Sequence, residues 1–306
     1  MPELPEVQTT VNGLNRYTVG LTITDVWTNY NSPYFKGSNT IKDPLFFKHF
    51  KKEIVGQKII KVDRRAKNIL ISLSNGKIIL VHMKMTGHLL FGLYKFIPKN
   101  KKDPWEPVEP EGLKDPFNKR IRFIICFNND RHLALSDTRK FAKITLIDGK
   151  SLHESEHLKD LGPEPLEKAF DFKIFESRLK IRSSWKIKQA LMDQNLIAGI
   201  GNIYADESLW RAGIHPTQKI SDISVQKLKE LFKAIKLTLA KGIDLGGDSM
   251  SDYRNVLGLK GNFQEQHRAY QKTNEKCSKQ KCGGTIKRIV VAGRATHYCD
   301  THQKLS

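Results

Sequence analysis

The chain has 306 residues, room for roughly two domains, and sets 52 lysines and arginines against 32 aspartates and glutamates, a formal net charge of +20. Apolar residues make up 39%, enough to bury a core and exclude general disorder, and no apolar run reaches the 18 or so residues of a membrane span. The basic excess is spread over the whole length, which points to a polyanion such as nucleic acid as partner. The opening Met-Pro-Glu-Leu-Pro-Glu has acids and prolines where a signal peptide needs a basic stretch and then an apolar one. Four cysteines are too few for a disulfide framework. A cytoplasmic protein is expected.

Residues 5–15 read as a helix with Val7, Val11 and Leu14 on one face. β-branched runs follow at Ile23–Trp27, Ile59–Asp63, Asn68–Leu73 and Lys77–Met83, with Asn75-Gly76 predicting a tight hairpin whose two turn residues both have positive φ. Further strands are expected at Ile121–Phe127, Leu133–Ser136 and Lys143–Ile147, with Asn128-Asn129-Asp130 as a turn. Residues 95–120, with Lys99-Asn100-Lys101-Lys102 and several prolines, read as a surface insertion without an assigned role.

Beyond residue 160 the pattern becomes helical. Phe172, Phe175 and Leu179 share a face, as do Ile187 and Leu191, then Ile203 and Leu209 past a glycine turn. Residues 222–241 form the clearest helix, with Gly242 at its C′ position. Residues 243–264 are glycine-rich and too long for a simple connection. The fold class is therefore α+β: an N-terminal antiparallel β-sandwich or barrel with flanking helices over 2–150, a linker over 151–165, a helical domain with its loop over 166–265, and a small terminal unit over 266–306.

That terminal unit carries Cys277-x4-Cys282 and Cys299-x2-His302 at the two ends of a predicted hairpin. Thiolates and an imidazole at this spacing favour one tetrahedral structural Zn2+. His297 is the competing imidazole, but it stands within an alternating strand two residues before Cys299, which favours His302. A unit of some 30 residues cannot build a sufficient core, so the metal would supply its folding energy. Cys126, in a β-run, reads as a buried apolar residue.

Two segments are chemically suggestive but ambiguous alone. Gly199 and Gly201 interrupt the helical pattern and Asn202 stands at the second helix's N-cap, a natural anion site or an ordinary packed turn. Pro2 becomes an N-terminal secondary amine if Met1 is removed, with a pKa near 8 that leaves a nucleophilic fraction at neutral pH. Glu3 and Glu6 are acids beside it. Prolines and acids also simply favour a first helical turn.

Together these motifs resemble the formamidopyrimidine-DNA glycosylase family, relatives of endonuclease VIII. The N-terminal Pro-Glu-Leu-Pro-Glu, Arg64-Arg65-Ala66-Lys67, His82-Met83-Lys84-Met85-Thr86-Gly87, Asp137-Thr138-Arg139-Lys140-Phe141, the helix–two-turn–helix at 188–207 and the terminal zinc finger occur in family order. The resemblance implies a bifunctional enzyme that removes oxidised purines (8-oxoguanine, formamidopyrimidines) from duplex DNA and cuts the abasic strand by β,δ-elimination. Catalytic roles would fall on Pro2 as nucleophile forming an iminium, Glu3 as general acid/base, Lys67 as a cation aiding base release, and Arg294. Met85, Arg139 and Phe141 would fill the space left by the flipped nucleotide. His82, Lys67, Lys188, Asn202 and Arg294 would contact DNA phosphates, and Gly246–Gln264 resembles the loop that covers an extruded purine. Zn2+ is the implied cofactor, damaged double-stranded DNA the partner, and a monomer the expected state. Departures from the family pattern include His302 in place of cysteine, Asp-Thr-Arg-Lys-Phe-Ala where Asp-Pro-Arg-Arg-Phe-Gly is commoner, and Tyr270-Gln271-Lys272 for Tyr-Gly-Arg. An endonuclease VIII-like enzyme for oxidised pyrimidines, a non-catalytic damage binder and an RNA-binding zinc protein remain as alternatives.

Overall fold

The computed structural model describes every residue but Asn31, Lys101, Lys102 and Ser306, and all side chains of the rest but those of Pro33 and His153. Two compact units emerge, residues 1–159 with 245–262, and residues 160–244 with 263–306.

The first unit opens with α1 (Leu4–Thr18), which buries Val7, Val11 and Leu14. Then come β1 (Ile23–Thr28), α2 (Pro44–Ile54) and eight further strands: β2 (Ile59–Arg65), β3 (Asn68–Leu73), β4 (Lys77–His82), β5 (His88–Phe96), β6 (Trp105–Glu109), β7 (Ile121–Phe127), β8 (His132–Ser136) and β9 (Lys143–Asp148). Asp43 caps α2 by accepting from the N–H groups of Leu45 and Phe46. All pairings are antiparallel, in one sheet of order β1-β7-β8-β5-β6 and another of order β2-β3-β4-β9. Ile69, Ile71, Ile79 and Val81 of the second sheet share one core with Phe123, Ile125, Leu133 and Leu135 of the first, which makes the pair a sandwich.

Four sequence expectations change. Between β3 and β4 only Gly76 has positive φ, and the Asn75 side chain accepts from the Lys77 N–H instead, giving a wider turn. Strand β5, a continuous apolar run without alternation, was not legible as such. The expected insertion over 95–120 is structural: β6 extends the five-stranded sheet, and Leu113 closes a second core with Leu90, Tyr94, Ile121, Ile124 and Ala134 on that sheet's other face. A sheet apolar on both faces needs cover on both. Lys101 and Lys102 of that segment lie outside the described residues. Finally, Leu245–Asn262, expected with the helical half, packs in the first unit. There the wholly buried Arg254 makes a two-pronged contact with Asp115, at 3.1 and 3.4 Å, and lies over the Phe117 ring at 4.5 Å.

The second unit contains α3 (Phe172–Lys180), α4 (Ile187–Met192), α5 (Asn202–Ala212), α6 (Val225–Asp244) and the hairpin of β10 (Ile286–Val291) and β11 (Arg294–Cys299). Helix α6 runs through Gly242, which is buried inside it; the left-handed glycines that follow are Gly246 and Gly247. Among the described residues no helix is long and apolar enough to cross a membrane.

Arg254→Ala would strand Asp115 and open a void under Phe117. A loss of about 3 kcal/mol in the first unit is expected, read by urea unfolding, with the second unit's transition unmoved.

Candidate functional site

The N-terminus of α1 is built around Glu6. Its Oε2 accepts from the Glu3 N–H at 2.7 Å, and its Oε1 accepts from the Asp248 N–H at 2.7 Å. Tyr253 donates its hydroxyl to the Glu6 carbonyl at 3.0 Å. Glu6 thus ties Glu3 to the 245–262 segment, and both its oxygens are engaged by backbone, which removes it from the candidates for proton transfer. Pro2 and Glu3 are buried, Glu3 at the N-cap where the helix dipole favours a carboxylate.

Five expected site residues adjoin, or lie next but one to, non-glycine residues forced into left-handed backbone: Ala66 (φ 53°) before Lys67, Lys84 (φ 55°) before Met85, Lys140 (φ 57°) between Arg139 and Phe141, and Ala292 (φ 46°) near Arg294. Such backbone costs of order 1 kcal/mol or more per residue and persists where the surroundings enforce it. Lys67 is buried in the two-residue turn between β2 and β3.

The loops bearing Met85 and Arg139–Phe141 are joined by one buried carboxylate. Asp137 accepts from the Tyr30 hydroxyl, the Thr86 hydroxyl, the Arg139 N–H at 3.2 Å and the Ala142 N–H at 2.8 Å. Burial and the Asp137 charge together push the Tyr30 phenol far above its ordinary range, so Tyr30 is a permanent donor. On this base the large apolar side chains stay in solvent: Met85 is 38% and Phe141 48% exposed, and the Arg139 guanidinium lies over the Phe141 ring at 4.5 Å. They line a cavity of about 660 Å3 with Met1, Tyr30 and Lys84. Exposed apolar groups beside a cation suit insertion into a base stack.

His82 stands at the end of β4. Its Nδ1 accepts from the Lys84 N–H at 3.0 Å, which leaves the proton on Nε2. Burial first, then Lys84 and Lys67, push its pKa down to about 3, so it acts as a neutral donor.

In the second unit, Gly201 is the N-cap of α5 and Asn202 is its first residue, correcting the expected cap; the Asn202 Nδ2 donates to the Ala295 carbonyl at 3.0 Å. Lys188, expected at a phosphate, is wholly buried. Its Nζ meets Asp206 at 2.6 Å, the Thr296 hydroxyl at 2.8 Å and the Ala295 carbonyl at 3.2 Å. A fully desolvated lysine needs such a carboxylate, so its place is to brace the hairpin, not to reach DNA. Asp206 also accepts from the His297 N–H at 2.9 Å, with the ring Nδ1 at 3.2 Å. The braced hairpin presents Arg294 exposed after the left-handed pair Ala292-Gly293.

Cys277, Cys282, Cys299 and His302 gather their donor atoms within 4.8 Å of one another. The Sγ of Cys282 lies 3.4 Å from that of Cys299 and from His302 Nδ1, and Cys277 Sγ is 3.5 Å from the same nitrogen. Those are the edges of a tetrahedron around a Zn2+ held by sulfur at about 2.3 Å and nitrogen at about 2.0 Å. His302 Nε2 faces the Trp210 carbonyl at 3.0 Å, which takes the ring proton and frees Nδ1 for metal. His297 is committed to Asp206, so the choice between the two imidazoles falls on His302.

The sequence motifs did not show the organising roles of Glu6, Asp137, Tyr30 and Asp206. Asp137 stood in a quoted motif, but a long-range hydrogen-bond hub leaves no local signature.

Comparison with known proteins places these features. Residues 1–144 match the formamidopyrimidine-DNA glycosylase N-terminal domain, 161–254 the H2TH domain of the same glycosylase, and 274–301 a zinc finger found in FPG and IleRS. A formamidopyrimidine-DNA glycosylase of Herpetosiphon aurantiacus is 35% identical over 308 residues, covering 99% of this chain and 100% of that one. One from Bacillus subtilis is 34% identical over 299 residues, covering 98% of each. The Lactococcus lactis Fpg in complex with an abasic site containing DNA superposes with a TM-score of 0.82 at 32% identity, covering 99% of both chains.

Three outcomes test this geometry. His302→Ala should lose the bound zinc while His297→Ala keeps one per chain, read by metal analysis of the purified protein. Asp137→Asn should cost about 2 kcal/mol of first-unit stability, because an amide cannot accept from all four donors. Because His82 is uncharged, His82→Ala should weaken DNA binding by the same factor at pH 6 and pH 8; a loss growing toward pH 6 would mean a titrating imidazolium.

Proposed function

Since the chain belongs to the formamidopyrimidine-DNA glycosylase family, whose members act on damaged DNA, we propose that it excises oxidised purines, 8-oxoguanine and formamidopyrimidines, and then cuts the abasic strand. The observation that carries this reading is the cavity that Met1 shares with Met85, Arg139 and Phe141. Removal of Met1 would leave the secondary amine of Pro2 at the edge of a space bounded by an apolar wedge, a cation and an aromatic ring. Such a space receives an extruded nucleotide, and the three side chains substitute for it in the stack.

The chemistry follows from the residue types. The unprotonated Pro2 nitrogen attacks C1′, the glycosidic bond breaks, and the base leaves with a proton, its departure aided by the Lys67 cation. Glu3 donates a proton to the ring oxygen as the sugar opens, leaving an iminium between Pro2 and C1′. A secondary amine makes an iminium that cannot lose its charge by deprotonation, so it withdraws electrons from C2′. Loss of the C2′ proton expels the 3′-phosphate, a second elimination expels the 5′-phosphate, and hydrolysis restores the amine. His82, Asn202 and Arg294 are proposed to hold phosphates through this sequence. The attachment of residues 245–262 to Glu6, close to Pro2, favours purine lesions over oxidised pyrimidines, since it supplies a segment to lie against the larger base.

Duplexes carrying 8-oxoguanine, formamidopyrimidine, an oxidised pyrimidine or an abasic site discriminate the readings. Purine lesions should be excised fastest, with a one-nucleotide gap bearing phosphates at both ends. Glu3→Gln should slow excision by about 10²-fold or more. Faster excision of the oxidised pyrimidine, or cutting that stops at a 3′-unsaturated aldehyde, would contradict the proposal.

A further inference from the structure

A second cavity of about 770 Å3 lies in the first unit beside the wedge, and Phe35, Lys42, Lys84 and Phe141 line both spaces. The second cavity adds Lys143 and His157. Its position follows from strand register. Asn68 pairs with His82 and His82 with Lys143 across β3, β4 and β9, and the Ile41 N–H donates to the Ile144 carbonyl at 3.1 Å. With neighbouring strands about 4.8 Å apart, one end of the four-stranded sheet carries Lys67, His82, Lys143 and Lys42 in a row, with Lys84 just past the end of β4.

None of Lys42, Lys84 and Lys143 forms an ion pair among the described residues. Lys42 donates one proton to the Lys140 carbonyl at 2.8 Å and lies over the Tyr30 and Phe35 rings at 5.3 and 5.1 Å. The carboxylate nearest in effect is Asp137, already surrounded by its own donors. Burial first, then the charge of Lys143, holds Lys42 and Lys84 below the ordinary lysine range, and His157 is lowered by burial and by Lys143 and Lys84. Uncompensated cations gathered in a concave site await an anion. Three acids line this cavity, Asp148, Glu154 and Glu156, and none of them forms an ion pair with the row among the described residues. Asp148 closes the far end of β9, five residues and about 17 Å along the strand from Lys143, and Glu156 adjoins His157.

We propose that Lys42, Lys84 and Lys143 form a phosphodiester-binding track that continues the Lys67–His82 row beyond the wedge and holds DNA backbone on the side of Phe141. This deepens the glycosylase reading and rests on it for the placement of the wedge. Phosphates of either strand have the same chemistry, so the strand is an outcome of the test.

The experiment measures Kd against salt for a lesion duplex with the full chain, using Lys143→Gln, the pair Lys84→Asn with Lys143→Gln, and the charge-retaining Lys143→Arg. Asparagine suits the left-handed backbone at 84. Each neutralised lysine should raise Kd severalfold and lower the slope of log K against log salt by about 0.9, while Lys143→Arg keeps the wild-type slope. Single neutral methylphosphonate linkages, placed in turn along each strand, should at one position equalise the Kd of wild type and Lys143→Gln, and that position names the strand. An unchanged slope in both neutral variants, or no equalising position in either strand, overturns the track. Pro2→Gly separates the two claims: it should keep the wild-type slope while excision stops, so a failed reaction with an intact slope counts against the chemistry and not against the track.

Discussion

A single buried carboxylate sets the geometry of the first unit's functional face. Asp137 is shielded from solvent and stays compatible with burial because two hydroxyls and two backbone N–H groups point at it. Those donors come from the segment after β1, the loop between β4 and β5, and the loop between β8 and β9. One charge therefore fixes, in one place, the chain that carries Met85 and the chain that carries Arg139 and Phe141. With that base immobile, apolar side chains can remain in water without collapsing onto the core.

The second unit solves a similar problem with the same means. Asp206, also wholly buried, is flanked by Lys188 and His297 and fixes α4 and β11 to one another. Asn202 and Lys188 converge on the Ala295 carbonyl, so the hairpin's turn and Arg294 stand on a rigid support. The metal ligands close the other end of the same hairpin, where the short unit has little core of its own. In both units internal ions hold loops, and the external cations are left facing solvent. Left-handed Ala66, Lys84, Lys140 and Ala292 mark where this support bends the backbone to aim a side chain.

Much of this was legible in the sequence, and the exceptions share a cause. β-branched runs identified β2, β3, β7 and β9, and ligand spacing identified the zinc cluster because the chemistry is local. Strand β5 was missed because, unlike the equally buried β3 and β7, it contains no β-branched residue and is interrupted by Gly92. The segment before β7 looked like surface because its prolines and lysines hide the single Leu113 that closes a core. Lys188 looked like a phosphate contact because its partner Asp206 lies 18 residues away on the next helix, and a lysine's type does not reveal whether its charge is already matched. Asn202 and Gly242 were misplaced by one turn or less, as expected where capping residues are judged without backbone angles.

The proposed chemistry begins with the nitrogen of Pro2 reacting with a deoxyribose carbon. Borohydride reduction of the protein on an abasic duplex, followed by peptide mapping, tests this most directly. The prediction is a covalent adduct on a chain lacking Met1, located at Pro2 and absent from Pro2→Gly. Strand cutting by protein that retains Met1, or an adduct mapped to a lysine such as Lys67, would contradict it.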